Sequence, residues 1–311
     1  MKKIFVPLLA FVLFSFLLFG CGNQQQSNSE VETKQIIDAL GNEVTVPKQP
    51  KRIVSLIPSI TETVFALNKG EYLVGRTDWC NYPEEVFDVN SVGGMQFDVE
   101  KLLSLKPDVV LSHASGAHSS GDGLEQVINA GIPVVIINDA KEIADVYKAI
   151  ELVGEVIDAK ASAANLTASM NEQFQVIQEK ASQINYDDQL TVWIEVSPAP
   201  DIFTAGKGTF IHELLGLINA KNAAGSVDGW VQFNEEEAVI LNPDVIVTTY
   251  GYYVDQPVEQ VLSRQGWKQV TAVKNERIYD VHSDKLTRSG PRLVKGVEQL
   301  ANIVYPEVFN E

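Results

Sequence analysis

The chain of 311 residues is poor in cysteine and in positive charge. Its two cysteines are Cys21 and Cys80, and a lipid on Cys21 would leave Cys80 without a partner. An intrachain disulfide would then be excluded, and stability would have to come from a hydrophobic core. The 24 Lys and Arg residues are outnumbered by 41 Asp and Glu residues, and the net charge is -17. This acidity makes nucleic acid and anionic membrane surfaces poor partners for the folded part.

The sequence also lacks a catalytic signature. It contains no Gly-x-Ser-x-Gly, and residues 205–209 (AGKGT) have the wrong spacing for a phosphate loop and predict a turn instead. The four histidines, His113, His118, His212 and His282, form no close pair at metal-ligand spacing, so we expect no dedicated metal site. A metal-dependent enzyme that uses His113 and His282 is a distant alternative to a protein without catalytic activity.

The N-terminus predicts an export signal that ends in a lipid anchor. A basic start is followed by an apolar run over residues 4–19, which is short for a membrane-spanning helix. Residues 18–21 (LFGC) are typical of a bacterial lipoprotein signal, so we expect residues 1–20 to be a signal peptide and Cys21 to carry the lipid. A plain secretory signal, with Cys21 a chance residue, is the alternative. The polar residues 21–36 predict a flexible tether to the outer face of the cell membrane.

A stretch near the middle of the mature chain, residues 161–184, predicts one long amphipathic α-helix. Its apolar residues recur at steps of three and four, and it contains neither Gly nor Pro. Strand and helix patterns alternate on both sides of it, which is typical of parallel sheets wrapped by helices. We therefore predict an α/β fold with two similar lobes, residues 37–158 and 186–311, joined by a helix over residues 159–185. A surface helix on one large domain is the alternative.

Two segments repeat the same pattern, one on each side of this helix. Residues 98–110 (DVEKLLSLKPDVV) and 234–246 (NEEEAVILNPDVI) each combine a capping residue, an apolar helix, Pro-Asp and a β-branched strand. One supersecondary unit used twice favours two similar lobes. Glu100 and Glu236 occupy equivalent places in the first helical turn. Either the helix dipole favours them there, or they are docking points for basic residues of a partner.

Local signals predict two further elements near the start of the folded part. Residues 36–50 alternate around Gly41-Asn42 and predict a β-hairpin. Ser59 followed by Glu62 has the spacing of a capping box, so we expect a helix to begin at Ser59 and to run to about Asn68.

Exposed aromatic and polar residues are predicted in loops at strand ends, where open α/β sheets bind ligands. Trp79 and Tyr82 lie in one such loop, and Trp230 is predicted in the loop before the second repeat. Residues 283–292 (SDKLTRSGPR) form a polar connection between a strand and the last helix. This connection either donates hydrogen bonds to a ligand or is a solvated link.

Taken together, these segments resemble the substrate-binding lipoproteins of ABC importers for cobalamin and iron chelates. The resemblance covers nearly the whole mature chain and is carried by residues 38–47, 51–65, 74–83, 100–109, 203–207, 230–236 and 283–292. The VGRTDWCNYP loop and the S-D-x-x-x-R-x-x-P-R run look most like the cobalamin-binding branch. An iron-siderophore or haem receptor of the same family is the competing interpretation.

The resemblance implies a ligand held between two lobes by aromatic faces and polar loops. It implies that Trp79 and Trp230 lie against the corrinoid, and that His113 stands where some members have an aromatic, so that it changes the pocket or approaches the cobalt. The full set of expected ligand-binding residues is Trp79, Tyr82, His113, Trp230, Asp284, Lys285 and Arg288.

The resemblance also implies partners. Glu100 and Glu236 match paired glutamates that the family presents to arginines of the permease, which works with an ATPase. We therefore expect a monomer that captures a small-molecule chelate without catalysis and without a cofactor. A helical connection between lobes resists large closure, so we expect free and bound forms to differ little.

Overall fold

Short β-branched runs form most strands of two parallel sheets, and four further strands form two antiparallel pairs. The computed structural model describes residues 31–94 and 96–309, apart from the side chains of residues 117–119. The strands are β1 (Thr33–Ile37), β2 (Glu43–Pro47), β3 (Ile53–Ser55), β4 (Leu73–Arg76), β5 (Asn90–Ser91), β6 (Val109–His113), β7 (Val134–Ile137), β8 (Thr191–Glu195), β9 (Ile202–Ala205), β10 (Lys221–Asn222), β11 (Trp230–Phe233), β12 (Val245–Thr248) and β13 (Ile278–Asp280).

Helices connect most of these strands. They are α1 (Pro58–Ala66), α2 (Val99–Ser104), α3 (Ala114–Ser119), α4 (Gly121–Asn129), α5 (Ile143–Val156), α6 (Lys160–Ala181), α7 (Phe210–Leu217), α8 (Glu235–Ile240), α9 (Pro257–Leu262), α10 (Thr271–Lys274), α11 (Ser283–Leu286), α12 (Leu293–Val304) and α13 (Pro306–Phe309). In the described residues, no helix combines the length and the apolar character that crossing a membrane requires.

The two sheets are the cores of two lobes. The first sheet has the strand order β5-β4-β3-β6-β7 and the second has the order β10-β8-β12-β13, and all pairings within both are parallel. Strands such as β7 and β12 are buried along their whole length, as expected when helices cover both faces of a parallel sheet. The predicted α/β fold with two similar lobes is confirmed.

The repeated unit folds the same way in both lobes. Asp98 caps α2 by accepting the N–H of Lys101 at 2.9 Å, and Asn234 caps α8 by accepting the N–H of Glu237 at 2.8 Å. The aspartate after each proline then ties the following strand to its neighbour. Asp108 accepts the N–H of Arg52 at 2.9 Å, and Asp244 accepts the N–H of Thr191 at 2.8 Å.

The long helix is α6, and its predicted buried face is confirmed. Ala163, Met170, Phe174, Ile177 and Ala181 are buried on one side of its 22 residues, which span about 33 Å. One end packs against α5 of the first lobe, and the helix also contacts α7, α12 and α13 of the second. The residue limits given to the lobes above stay a prediction, because the chain from Glu32 onward forms one compact unit.

The structure corrects three expectations about local elements. The stretch predicted as a tether is already ordered from Thr33, because β1 pairs with β2 in the confirmed hairpin. The predicted capping box of Ser59 and Glu62 is wrong, because Pro58 occupies the first turn of α1 and the N-cap is Ile57, which makes no side-chain cap. Trp230 lies in a strand and not in a loop, since β11 pairs antiparallel with β9. Cys21 and residues 1–30 lie outside the described residues.

The contact between α5 and α6 requires a glycine. A Cβ atom on Gly154 would collide with the Cβ of Ala163 and would lie 3.2 Å from the carbonyl oxygen of Ala159. We expect Gly154→Ala to lower the free energy of unfolding by about 1–3 kcal/mol, because neither neighbour has a flexible side chain that could move away.

Urea unfolding measures this change, and Gly216→Ala in α7 is the matched control. A Cβ there meets nothing within 4 Å, so the better helix propensity of Ala predicts a gain of up to about 1 kcal/mol. Equal effects of the two substitutions would contradict the close approach of α5 and α6.

Candidate functional site

A cleft of about 510 Å³ lies between the two lobes, at the carboxyl ends of the parallel strands. Its first wall comes from the loops after β3, β6 and β7, and its second from the turn before α7, from β11 and from the loop after β13. The lining residues are Ile57, Pro58, Ser59, His113, Ser115, Asp139, Ala140, Lys141, Gly208, Thr209, Phe210, Gly229, Trp230, Thr287, Arg288 and Ser289. Open α/β sheets bind ligands at this edge.

A second cavity of about 340 Å³, the inner pocket, adjoins the cleft on the side of the first lobe. The two share Ile57, Pro58, His113 and Ser115 in their walls, and the inner pocket adds Trp79. The side chain of Trp79 is 60% exposed and that of Trp230 is 47% exposed. Large aromatic faces left uncovered in two adjoining cavities are surfaces that an apolar or planar ligand can cover.

Trp230 is held in place on the second wall by its neighbours. Its backbone pairs with Ala205 of β9, and its ring meets Phe210 edge-on at 6.2 Å between centroids. Phe210 is the first residue of α7 and is buried. Strand pairing and this contact therefore fix the position of the indole before any ligand arrives.

His113, the last residue of β6, is the titratable ring in the cleft wall. Its Nδ1 lies 2.6 Å from Asp139 Oδ1 and 2.8 Å from Ser115 Oγ. Burial lowers the pKa of His113, against the raising effect of the Asp139 carboxylate. The imidazole is therefore neutral at pH 7.

The two lobes are joined beside the cleft by an interlobe ion-pair network, which we define as Glu62, Asn81, Asp284, Arg288 and Arg292. Glu62 of α1 accepts Arg288 Nη1 at 2.8 Å and both Nε and Nη2 of Arg292, at 2.7 and 2.6 Å. Asp284 Oδ1 forms an ion pair with Arg288 Nη2 at 2.8 Å, and Asp284 Oδ2 accepts Asn81 Nδ2 at 2.9 Å. Asn81 Oδ1 in turn accepts Arg288 Nη1 at 2.7 Å.

Burial gives this network its strength. The Glu62 side chain is 2% exposed, and those of Arg288 and Arg292 are 17% and 12% exposed. Removing one partner of a buried pair leaves an uncompensated charge, which costs several kcal/mol. Since Glu62 belongs to the first lobe and both arginines to the second, the network opposes separation of the lobes.

A second contact between the lobes lies at the start of α5. The Glu213 carboxylate, on α7 of the second lobe, accepts the backbone N–H of Ile143 at 2.6 Å. A negative charge at a helix N-terminus satisfies a free N–H group and interacts favourably with the helix dipole. A second carboxylate, in a part-buried hydrogen bond, therefore also joins the two lobes.

The structure brings together only part of the predicted ligand-binding set. Trp79, His113, Trp230 and Arg288 line the cleft or the inner pocket. Tyr82 instead lies under the guanidinium of Arg292 at 4.1 Å and lines a separate pocket of about 850 Å³.

The other predicted residues take different places. Asp284 and Lys285 lie in α11 outside the cleft wall, and Asp284 acts in the interlobe network. Glu100 and Glu236 are exposed in the first turns of α2 and α8, one on each lobe. Among the side chains that the structure describes, which exclude that of His118, no group of three or more His, Cys, Asp or Glu could hold a metal ion.

The sequence patterns missed Glu62, Asn81 and Asp139 as site residues. The local pattern places Glu62 in a helix cap, because its partners lie more than 200 residues away along the chain. The sequence signal for this site is the pair Arg288 and Arg292, which lie four residues apart in a short polar segment. Two guanidinium groups so close together need a carboxylate partner, and another part of the chain has to supply it.

Comparisons with known proteins agree on one family. The family model described as periplasmic binding protein matches residues 53–285. The ABC transporter substrate-binding lipoprotein YvrC of Bacillus subtilis is 47% identical over 309 residues, 97% of each chain. The vitamin B12-binding protein of Pectobacterium atrosepticum is 26% identical, covering 81% of this chain and 88% of its own.

A solved structure is similar along most of the chain as well. It comes from Staphylococcus epidermidis and is described as a possible iron-binding (periplasmic solute-binding) protein. It has a TM-score of 0.75 and 33% identity, and the match covers 83% of this chain and 100% of that one.

The central position of Glu62 gives a testable prediction. Glu62→Ala removes the carboxylate that accepts three hydrogen bonds from two buried guanidinium groups and leaves them Asp284, at 2.8 Å from Arg288 and 3.6 Å from Arg292. We expect the free energy of unfolding to fall by about 3 kcal/mol or more. Denaturant unfolding measures this loss. The control is Glu172→Gln on the exposed face of α6, which should change stability by less than about 0.5 kcal/mol. A Glu62→Ala protein as stable as this control would contradict the account of the network.

Proposed function

The chain belongs to the periplasmic binding protein family, and from this we propose that it captures cobalamin outside the cytoplasm and delivers it to the permease of an ABC importer. The chain is a substrate-binding protein of such a transporter, and its cargo is the part that we propose. The single observation that carries the choice is the pair of exposed indoles, Trp230 in the cleft between the lobes and Trp79 in the adjoining inner pocket of the first lobe.

A corrinoid suits this arrangement for physical reasons. Its ring is broad, nearly planar and largely apolar at its faces, so aromatic side chains can stack on it or meet it edge-on. Its amide side chains need hydrogen-bonding partners at the rim, and Arg288, Ser289 and Lys141 in the cleft wall can donate. The B12-binding protein of Pectobacterium, similar over most of its length, supports the same cargo.

Capture needs little movement of the lobes. The network around Glu62 and the Glu213 contact with α5 already join the lobes, and α6 packs against both. Because these contacts would have to break for a wide opening, we propose that the ligand enters a cleft that is largely formed beforehand. Pre-formed sites avoid part of the ordering cost of binding.

The membrane anchor and the docking face complete the proposal. Cys21 would carry the lipid that holds the protein at the outer face of the cell membrane, as the lipoprotein name of the B. subtilis relative supports. Glu100 and Glu236 would then present one carboxylate from each lobe to arginines of the permease. Their equivalent positions in a repeated unit suit a permease with two similar halves.

An iron chelate is the second candidate cargo. The S. epidermidis structure, 33% identical, is described as a possible iron-binding protein, and this observation favours it. The net charge of -17 disfavours strongly anionic catecholates. Haem, which is also planar and apolar at its faces, fits the two indoles better than an open siderophore does.

Calorimetry of the detergent-purified chain with cyanocobalamin tests the cargo. We expect saturable one-to-one binding with submicromolar affinity, and Trp230→Ala should weaken it about tenfold or more because a stacking surface is lost. Tyr186→Ala, an exposed aromatic of a short helix outside the cleft, is the matched control and should leave affinity unchanged. Absence of binding by the unsubstituted chain would overturn cobalamin as the cargo.

A double substitution tests the docking face separately. With Glu100→Ala and Glu236→Ala together, we expect cobalamin uptake by cells to be lost while the affinity of the purified chain for cobalamin stays the same. The control pair, Glu125→Ala with Glu259→Ala, removes one exposed carboxylate from each lobe at other positions and should leave uptake intact. Loss of ligand affinity in the first pair would contradict the docking role.

A further inference from the structure

The inner pocket is a cavity beside the cleft that a flat macrocycle alone would leave unfilled. We propose that it receives a neutral nitrogen heterocycle with its ribose, namely the adenosyl group that a corrinoid can carry on the upper face of its metal. The inference rests on the proposed function for the presence of a corrinoid in the cleft. The inner pocket then determines which form of the corrinoid the chain prefers.

The first argument is the position of the inner pocket. Its wall and that of the cleft have residues in common, which are Ile57, Pro58, His113 and Ser115. A substituent on the central metal stands perpendicular to the plane of the macrocycle. When the ring lies in the cleft with one face toward this shared wall, the substituent on that face points out of the cleft and can enter the inner pocket.

The second argument is the size of the inner pocket. Its volume of about 340 Å³ lies in the range of small-molecule sites, about 300–1,000 Å³. A cyano or methyl group would leave most of it unfilled, whereas an adenine with its ribose would occupy it. Gly94 and Gly116 are part of the wall. A Cβ atom on Gly94 would lie 3.6 Å from Trp79 Nε1, so a larger side chain there would take up this space.

The third argument is the lack of charge around the inner pocket. The described residues that line it include no Lys, Arg, Asp or Glu, and burial lowers the pKa of His113, which keeps that ring neutral near pH 7. The cleft, by contrast, presents Asp139, Lys141 and Arg288. Because burying a charge without a partner is costly, a phosphate or carboxylate of the ligand belongs in the cleft. The inner pocket suits a neutral group.

The fourth argument is a buried hydroxyl group that lacks a partner. Ser112 lines the inner pocket and is 2% exposed, and in the part of the chain that the structure describes its Oγ has no hydrogen-bond partner. The Thr77 hydroxyl lies 3.3 Å from Cys80 Sγ, which is a weak partner. Buried polar groups in proteins usually form hydrogen bonds. Both hydroxyls are therefore available to the nitrogen atoms of adenine, beside the aromatic rings of Trp79 and Phe97.

The test is calorimetry of the full chain, in the dark, with adenosylcobalamin and with cyanocobalamin, which differ in the upper ligand of the cobalt. We expect the Kd for cyanocobalamin to be about ten times that for adenosylcobalamin, because the adenine adds aromatic contacts and hydrogen bonds. Gly94→Leu should lower this ratio to about one, since the leucine takes the space of the adenine. The matched control is Gly216→Leu at an exposed position of α7, which should leave the ratio unchanged.

A second variant, Ser112→Ala, keeps the inner pocket open and removes the hydroxyl. We expect the ratio of the two Kd values to fall about threefold. The Tm of the free chain should not fall, because no hydrogen bond within the described part of the chain is lost. A purely structural role of the hydroxyl would lower the Tm and leave the ratio as it was, which would count against the subsite. Ser162→Ala on the exposed face of α6 is the control for the ratio.

Further outcomes separate this inference from the proposed function. Equal Kd values for the two cobalamins, or a ratio that neither Gly94→Leu nor Ser112→Ala changes, would overturn the adenosyl subsite and leave cobalamin as the cargo. Dicyanocobinamide lacks the nucleotide below the corrin ring. If Gly94→Leu weakened cyanocobalamin but not dicyanocobinamide, this lower nucleotide would be the occupant, and the adenosyl assignment would be wrong. Binding of neither cobalamin would overturn the cargo and the subsite together.

Discussion

The buried carboxylate of Glu62, with the two arginines that it holds, is the contact on which the geometry of the cleft depends. The cleft walls belong to different lobes, so the separation of Trp79 and Trp230 is set by whatever joins those lobes. Glu62 does this by accepting three hydrogen bonds from Arg288 and Arg292 at 2.6–2.8 Å. Arg288 also lines the cleft. The same guanidinium thus joins the lobes and forms part of the cleft wall, so a shift of the lobes would also change the groups that the wall presents.

The long helix and the repeated unit explain why such a contact can exist. Helix α6 packs on both lobes and sets their approximate distance, while Asp108 and Asp244 anchor equivalent strands in each sheet. These elements bring Glu62 and the loop before α12 together, and the buried charges then fix the final geometry. A ligand held between lobes that are already joined loses less free energy to ordering than one that must close a hinge. We regard this as the physical basis of the ligand capture that we propose.

Much of this fold was predictable from the sequence, because helices, strands and the repeat leave periodic signals within short windows. The apolar spacing of Ala163, Met170 and Phe174 predicts the buried face of α6, and the two Pro-Asp segments predict the equivalent units. The candidate site was less predictable. The partners of Glu62 are distant in sequence, so no local pattern predicts them. The loop position of Tyr82 predicts a place in the cleft, whereas its ring lies under the guanidinium of Arg292. A local pattern reports which residues are exposed or charged, but it does not report which residue of the other lobe faces them.

The most direct test of the central claim is a pair of crystal structures of the chain, with and without bound cobalamin. We expect the corrin ring between the lobes, in contact with Trp79 and Trp230, and hydrogen bonds from Arg288 and Arg292 to Glu62 in both structures. A corrin ring bound elsewhere, for example against Tyr82, or a bound form in which the Glu62 pairs are broken and the lobes have moved apart, would contradict it.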